Sequence, residues 1–94
     1  MTWTWDPEKN DANGVVHRTS FHEAQEVFDD PLSATRPDRD HNRYEPRYHT
    51  VGRTRSQRLL LVVHTWDAID QSGRIISARQ ATAIERNAYE LGKF

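Results

Sequence analysis

The chain has 94 residues, of which 35% are hydrophobic and 29% are charged, and its formal net charge is −1. This length predicts a single domain over residues 1–94, with a modest core built on three Trp, three Tyr and three Phe. The absence of cysteine excludes disulfides, thiol nucleophiles and cysteine-based metal sites, and is typical of a reducing compartment. Because no signal peptide or long apolar run is visible, we expect a cytoplasmic protein.

The charge is unevenly distributed along the chain. Residues 1–35 carry two basic and seven acidic side chains, a local charge of −5, whereas residues 36–58 carry seven basic and three acidic ones, a local charge of +4. Residues 59–94 carry four of each sign. The basic residues of the middle segment are all arginine, so the sequence favours a local anion-binding surface over a generally basic protein.

Hydrophobic periodicity and capping residues predict three helices and about four strands. The helices are expected at residues 7–13, 20–31 and 82–91, and the strands at 47–51, 58–66 and 74–78, with short strands at 2–5 and 33–35 as further candidates. The chain between residues 31 and 42 otherwise has the composition of an exposed connection, and polar residues 54–57 suit a hairpin turn.

Capping residues indicate where the helices begin. Asp6 precedes the first helix, and Ser20 and Thr82 each stand three residues before a glutamate, which is the spacing of a capping box. Gly14 is expected to end the first helix. The last helix is expected to pack through an apolar stripe of Ile84, Ala88 and Leu91. This order predicts an α+β fold, in which two N-terminal helices and one C-terminal helix pack mainly on one side of a small antiparallel sheet.

Two blocks of residues resemble the signature of the BrnT family. The first block consists of Trp5-Asp6, Lys9, Asn13, His17, Ser20-Phe21, Glu23-Ala24 and Val27-Phe28-Asp29-Asp30-Pro31. The second block consists of Gly52-Arg53, the apolar strand Leu59 to Val63, Arg74-Ile75-Ile76-Ser77-Ala78-Arg79, Ala81, Glu85-Arg86 and Tyr89. Together the blocks cover nearly the whole chain, and the second block is the more specific.

Members of that family are similar in fold to RelE-type ribonuclease toxins. The resemblance therefore implies the toxin of a bacterial type II toxin-antitoxin pair, which cleaves RNA and inhibits translation until a BrnA-like antitoxin neutralises it. Contact with DNA would then come only through the antitoxin. The resemblance implies no cofactor.

RNA cleavage without a metal needs a base for the 2′-hydroxyl, cations that stabilise the charge on phosphorus oxygens, and an acid for the leaving oxygen. Arg74 and Arg79 are the candidates for the cationic role, because a guanidinium matches phosphate oxygens. A regular strand would place them on opposite faces, so both can serve one site only if the chain bends near Ser77. The alternative is that one of them pairs with Glu85 or Asp67 and only ties the last helix to the sheet.

Five further side chains complete the candidate set. Either His17 or Lys9 could act as a proton carrier or as a phosphate contact; the alternative is that His17 bonds to a loop backbone and Lys9 is a solvated helix residue. His64, near a strand end, is a base or a satisfied core residue. Tyr89 is a core aromatic residue, or takes part in cleavage as tyrosine does in RelE-like toxins. Glu85 lies one helical turn before Tyr89 and belongs to the same candidate site.

A candidate RNA-binding surface lies in the arginine-rich segment. Its basic residues are Arg47, Arg53, Arg55 and Arg58, accompanied by His49, with Tyr48 or Tyr44 available for base stacking. An acidic segment of the antitoxin would use the same arginines.

Other chemistries find little support in the sequence. Five scattered histidines without cysteine predict no metal site, and the glycines form no phosphate-binding loop. Three positions depart from the usual family pattern, namely Val16, Arg18 and Asp67. They motivate a second hypothesis, in which the chain is an inactive toxin-fold module that binds an antitoxin or co-regulates its operon.

Overall fold

A computed structural model of the chain describes residues 1–40 and 44–94. Its elements, in chain order, are β1 (Thr2–Thr4), α1 (Pro7–His17), α2 (Phe21–Ala24), a 3-10 helix (Gln25–Asp29), β2 (Ala34–Pro37), β3 (Tyr48–Arg53), β4 (Leu59–His64), β5 (Ser72–Gln80) and α3 (Ala83–Glu90). The strands form one sheet in the order β1-β5-β4-β3-β2. β1 pairs with β5 in parallel, and the other pairs are antiparallel.

The predicted α+β fold is confirmed, but the sheet has five strands rather than about four. The two short segments that the sequence marked only as candidates, β1 and β2, pair with the outer strands β5 and β3 and form the two edges. The predicted connection between residues 31 and 42 ends in His41 and Asn42, which lie outside the described residues.

The first helix is longer than predicted. The Asp6 carboxylate accepts a hydrogen bond from the Glu8 N–H at 2.9 Å, as expected for an N-cap. The prediction that the helix ends at Gly14 is wrong, because the helix continues to His17 and the Arg18 N–H closes its last turn on the Gly14 carbonyl at 3.0 Å. Arg18 adopts φ 52°, the left-handed conformation that usually ends a helix at glycine.

The second predicted helix is divided in two. The Ser20 hydroxyl accepts a hydrogen bond from the Glu23 N–H at 3.0 Å and starts α2, which passes after one turn into the tighter 3-10 helix. Phe21, Ala24 and Val27 along this segment are fully buried. The segment therefore covers one face of the sheet.

The helices pack on both faces of the sheet, not mainly on one. On the first face, α2 and the 3-10 helix cover a core that contains Leu60, Val62 and Ile75. On the second face, Tyr89 of α3 packs on Val51, Leu59 and Leu61. β4, which is apolar at almost every position, is thus the covered central strand that the sequence predicted.

The packing face of α3 differs from the predicted stripe. The capping box of Thr82 and Glu85 is present, as predicted. Ile84 and Leu91, however, are 84% and 58% exposed, and Tyr89 is the buried residue of the helix. The apolar periodicity indicated the wrong packing face of α3, because the aromatic side chain of Tyr89, on a different face of the helix, is the one that packs in the core. No helix in the described part of the chain is long and apolar enough to cross a membrane.

Candidate active site

A bulge in β5 brings Arg74 and Arg79 to the same face of the sheet. β4 pairs Val63 with Ser77 but His64 with Ile75, so one residue of β5 is left over beside Ser77. Such an extra residue reverses the alternation of side chains beyond it. The bend that the sequence required near Ser77 is therefore present, and both arginines lie on the face that carries α3.

Arg79 is fixed by a two-point contact with Glu85. Its Nη1 and Nη2 donate to the two carboxylate oxygens of Glu85 at 2.7 and 2.9 Å. The hydrogen bond from Arg79 lowers the pKa of Glu85 to about 2, although partial burial works against this shift. The same contact raises the pKa of Arg79, so the guanidinium is held in place and permanently charged.

The lowered pKa of Glu85 predicts a loss of stability in acid. Because its folded-state pKa of about 2 lies below the ordinary value of 4.5, its contribution is complete above about pH 4.5 and is lost as the pH falls toward 2. We expect about 1 to 2 kcal/mol, since solvent screens the 37% exposed Arg79 side chain. Chemical denaturation of wild type and Glu85→Gln from about pH 5 to about pH 2.5 measures the difference. Parallel pH profiles would contradict it.

Arg74 lies farther along the same face. Its Nη2 donates to Glu45, and both side chains are 43% exposed. Five strand positions separate Arg74 from Arg79, roughly 16 Å at about 3.3 Å per residue. The two arginines therefore lie toward opposite ends of β5 and do not touch.

A histidine-aspartate pair lies on this face and was not predicted. His49 Nε2 is 3.1 Å from Asp38 Oδ2, and the Asp38 side chain is only 7% exposed. The register aligns His49 with Val63 on β4 and Val63 with Ser77 on β5, so His49 and Ser77 are about 10 Å apart across two strand spacings. The sequence placed His49 only on a binding surface, because no local spacing links it to Asp38.

Tyr89 belongs to a separate cluster at the far end of α3. Its hydroxyl donates to Asp30 Oδ2 at 2.6 Å, and the same oxygen accepts the Arg53 N–H at 2.8 Å. Burial raises the pKa of Asp30, but the hydrogen bonds from Tyr89, Arg53 and Leu32 outweigh it and lower the pKa overall. Burial and the bond to Asp30 raise the pKa of Tyr89, so its hydroxyl stays protonated. Asp30, which no catalytic prediction included, thus anchors Tyr89.

His64 lies on the opposite face of the sheet. Its Nδ1 is 2.8 Å from the Thr65 carbonyl and must donate to it, so in the neutral ring Nε2 accepts the hydrogen bond from the Thr50 hydroxyl at 2.7 Å. Burial lowers the pKa of His64. Of the two interpretations of this residue, the contacts favour the satisfied core histidine.

His17 and Lys9 are exposed on α1. Within residues 1–40 and 44–94, neither side chain has a hydrogen bond or ion pair with Arg74 or Arg79. The structure therefore brings the two arginines to one face but does not join His17 to them.

Folding neutralises part of the arginine-rich segment. Arg58 pairs with Glu23 and donates to the Thr19 hydroxyl at 3.1 Å, which ties β4 to α2. Arg55 lies 3.8 and 3.9 Å from two carboxylates of the 3-10 helix. Arg53 lies over the Tyr89 ring at 5.6 Å. The acidic N-terminal part thus balances much of the local charge of +4.

The remaining predicted contact, Arg47, is half-buried just before β3, and its carbonyl accepts the Asp38 N–H at 2.8 Å. In the part of the chain that the structure describes, no three histidine or carboxylate side chains are grouped to hold a metal ion.

Comparison with solved structures finds a known protein with this fold. The structure resembles the crystal structure of the Brucella abortus ribonuclease toxin BrnT, with a TM-score of 0.65 and 18% identity over 87% of this chain and 97% of that chain. At this identity, the likeness shows a common fold. No curated protein matches the sequence significantly.

The family follows from the sequence itself. Residues 5–85 match the family described as "Ribonuclease toxin, BrnT, of type II toxin-antitoxin system". The chain belongs to the BrnT family, and the predicted resemblance is confirmed.

Proposed function

We propose that the chain is an endoribonuclease that cleaves single-stranded RNA without a metal and thereby inhibits translation in the cytoplasm. The observation that carries the proposal is the face of the sheet that carries α3, where Arg79 is held rigid by Glu85 and the His49-Asp38 pair lies across β4. A charge fixed before the reaction begins stabilises a transition state better than a mobile one.

The proposed reaction is an internal transfer at phosphorus. The 2′-oxygen forms a bond to phosphorus while the bond to the 5′-oxygen breaks, which yields a 2′,3′-cyclic phosphate and a free 5′-hydroxyl. Arg79 would stabilise the added negative charge on the phosphorus oxygens, with Arg74 holding a phosphate farther along the RNA strand. His49, oriented by Asp38, would take the proton of the 2′-hydroxyl, and this proton would then pass through water to the leaving 5′-oxygen.

The other predicted catalytic residues receive supporting roles in this proposal. Glu85 is a weak base because its pKa is about 2, so it positions Arg79. Tyr89 stays protonated and shapes the end of α3. His17 is exposed on α1 and is not part of the sheet face, and it remains a candidate contact for RNA.

The partner of the chain in this proposal is an antitoxin of the BrnA type, through which alone it would contact DNA. The sequence placed the antitoxin on the arginine-rich segment. Arg55, whose side chain is 80% exposed, is the most accessible member of that segment, whereas Arg58 is committed to Glu23. An acidic antitoxin segment would therefore meet Arg55 before Arg58.

A growth assay tests the proposed function. Expression of the chain alone in a bacterium should slow growth and protein synthesis, and coexpression of the adjacent reading frame should restore both. The matched control is Arg79→Ala at equal soluble expression, which should grow normally. Normal growth with the wild-type chain would refute the toxin proposal.

The second hypothesis, an inactive module, also has an observation in its favour. Both Nη atoms of Arg79 are engaged by Glu85, which is the arrangement of a structural clamp. In that case the wild-type chain would bind the antitoxin but leave labelled RNA intact.

A further inference from the structure

A cleft lined by aromatic rings lies at one end of the sheet, on the face opposite Arg79. It has a volume of about 350 Å³, and its walls are formed by Met1, Trp3, Phe28, Thr35, Tyr48, His64 and Trp66. We call it the aromatic cleft. Its size falls within the range of small-molecule sites, about 300 to 1,000 Å³.

The rings of the aromatic cleft are held in fixed positions. Trp3 stacks on Phe28 with ring centres 3.8 Å apart, and His64 meets the edges of both rings at 5.0 and 4.9 Å. Gly73 permits this arrangement, because a Cβ there would lie 2.3 Å from the Trp3 ring. The cleft is therefore built before any ligand arrives.

One polar group of the aromatic cleft lacks a partner. The Trp3 Nε1 is buried, and no atom of residues 1–40 and 44–94 accepts its hydrogen bond. Unpaired buried donors are rare and costly. His64 cannot accept this bond, because its Nδ1 donates to Thr65 and its Nε2 is taken by Thr50. Trp3 thus lines the cleft with an indole whose donor has no partner among the described residues.

Trp66 connects the aromatic cleft with Arg74. The same indole lines a second hollow, of about 330 Å³, that contains Arg74 and Glu45. The contact with Glu45 uses only Nη2 of Arg74, and the described residues offer the guanidinium no other partner. A phosphate held at Arg74 would thus have an aromatic surface beside it.

We propose that the aromatic cleft binds one nucleobase of single-stranded RNA, whose neighbouring phosphate is held by Arg74. Aromatic rings stack with any base, and the guanidinium of Arg74 suits the adjacent phosphate. This proposal rests on the proposed function. It adds a subsite at one end of the sheet, on the face opposite Arg79.

Tryptophan fluorescence tests this subsite. The probe is a short single-stranded oligonucleotide with 2′-O-methyl riboses, which cannot be cleaved, compared with the same oligonucleotide carrying abasic residues. We expect quenching by the first and about tenfold weaker binding of the second, as for the loss of one stacked base. Trp66→Leu and Trp3→Phe, each of which reduces the aromatic surface of the cleft, should each weaken binding of the normal oligonucleotide but not of the abasic one.

The matched control is Trp5→Phe, since Trp5 packs edge-on against Phe21 at 6.2 Å in the core and does not line the cleft. Equal binding of the two oligonucleotides, or unchanged binding by Trp66→Leu, would overturn the subsite. Weaker antitoxin binding by Trp66→Leu with unchanged oligonucleotide binding would assign the cleft to protein docking instead. Because the probe cannot be cleaved, a chain that binds it with base dependence but leaves RNA intact refutes only the proposed ribonuclease activity.

Discussion

Replacement of Arg79 by alanine should lower cleavage of labelled RNA by the purified protein on the order of a hundredfold, the loss typical of one preorganised charge-stabilising donor. Arg79 would meet negative charge that grows in the transition state, so the variant should lose turnover more than RNA affinity. Cleavage by the wild-type protein should persist in EDTA. The measurement is cleavage of one substrate at saturating concentration, paired with thermal melting to confirm folding.

Two further variants separate a catalytic Arg79 from a structural clamp. Glu85→Gln weakens the same ion pair but keeps the guanidinium, so it should lose stability and retain much more activity than Arg79→Ala. Arg86→Ala removes one positive charge from α3, and should cleave at the wild-type rate. If folded Arg79→Ala also cleaves at the wild-type rate, the arginine is only a clamp and the proposed site is wrong.

The elements governed by local chemistry were predictable from the sequence. Asp6, Ser20 and Thr82 all cap the helices that they were expected to cap. The continuous apolar run of β4 correctly indicated a central strand. Such signals depend on neighbours within a few residues, which a sequence displays directly.

The failures arose where distant segments decide the outcome. Gly14 does not end α1 but lies within it, next to Asn13, whose side chain contacts β5. Ile84 is exposed, and Tyr89 is the buried residue of α3 instead. The Tyr89 hydroxyl bonds to Asp30, which is 59 positions away in the sequence. Helix periodicity cannot anticipate either contact.

The sequence predicted the arginines of the candidate site but not how the fold brings its residues together. Arg74 and Arg79 were named because a guanidinium matches phosphate oxygens, and the bulge beside Ser77 shows how they come to share a face. The His49-Asp38 pair joins residues that are 11 positions apart on different segments, and no sequence motif marks such a pair. Charge patterning showed the arginine-rich segment, but not that Glu23 and Glu26 would fold onto it.

Asn13 links the fold to this site. Beyond β1, the outer edge of β5 has no strand partner among residues 1–40 and 44–94, and Asn13 takes that place for Ala78. Its Nδ2 donates to the Ala78 carbonyl at 2.7 Å and to the Thr19 carbonyl at 2.9 Å, while its Oδ1 accepts the Ala78 N–H at 3.1 Å. Beside Arg79, the side-chain amide thus makes the backbone hydrogen bonds that a neighbouring strand would make. Asn13 is 7% exposed.

Asn13→Ala should lower the free energy of unfolding by about 3 kcal/mol or more, because buried groups left without partners cost about 1 to 3 kcal/mol each. This is a large part of the 5 to 14 kcal/mol or so expected for a domain of this size. Asn13→Asp should be similarly destabilised, since it keeps the acceptor but loses both donors. The control is Asn87→Ala on exposed α3 surface, which removes the same amide at little cost. Urea denaturation measures all three. A loss below about 1 kcal/mol for Asn13→Ala would mean that water replaces the amide at the edge of β5, and that the edge does not need Asn13 to hold Arg79 in place.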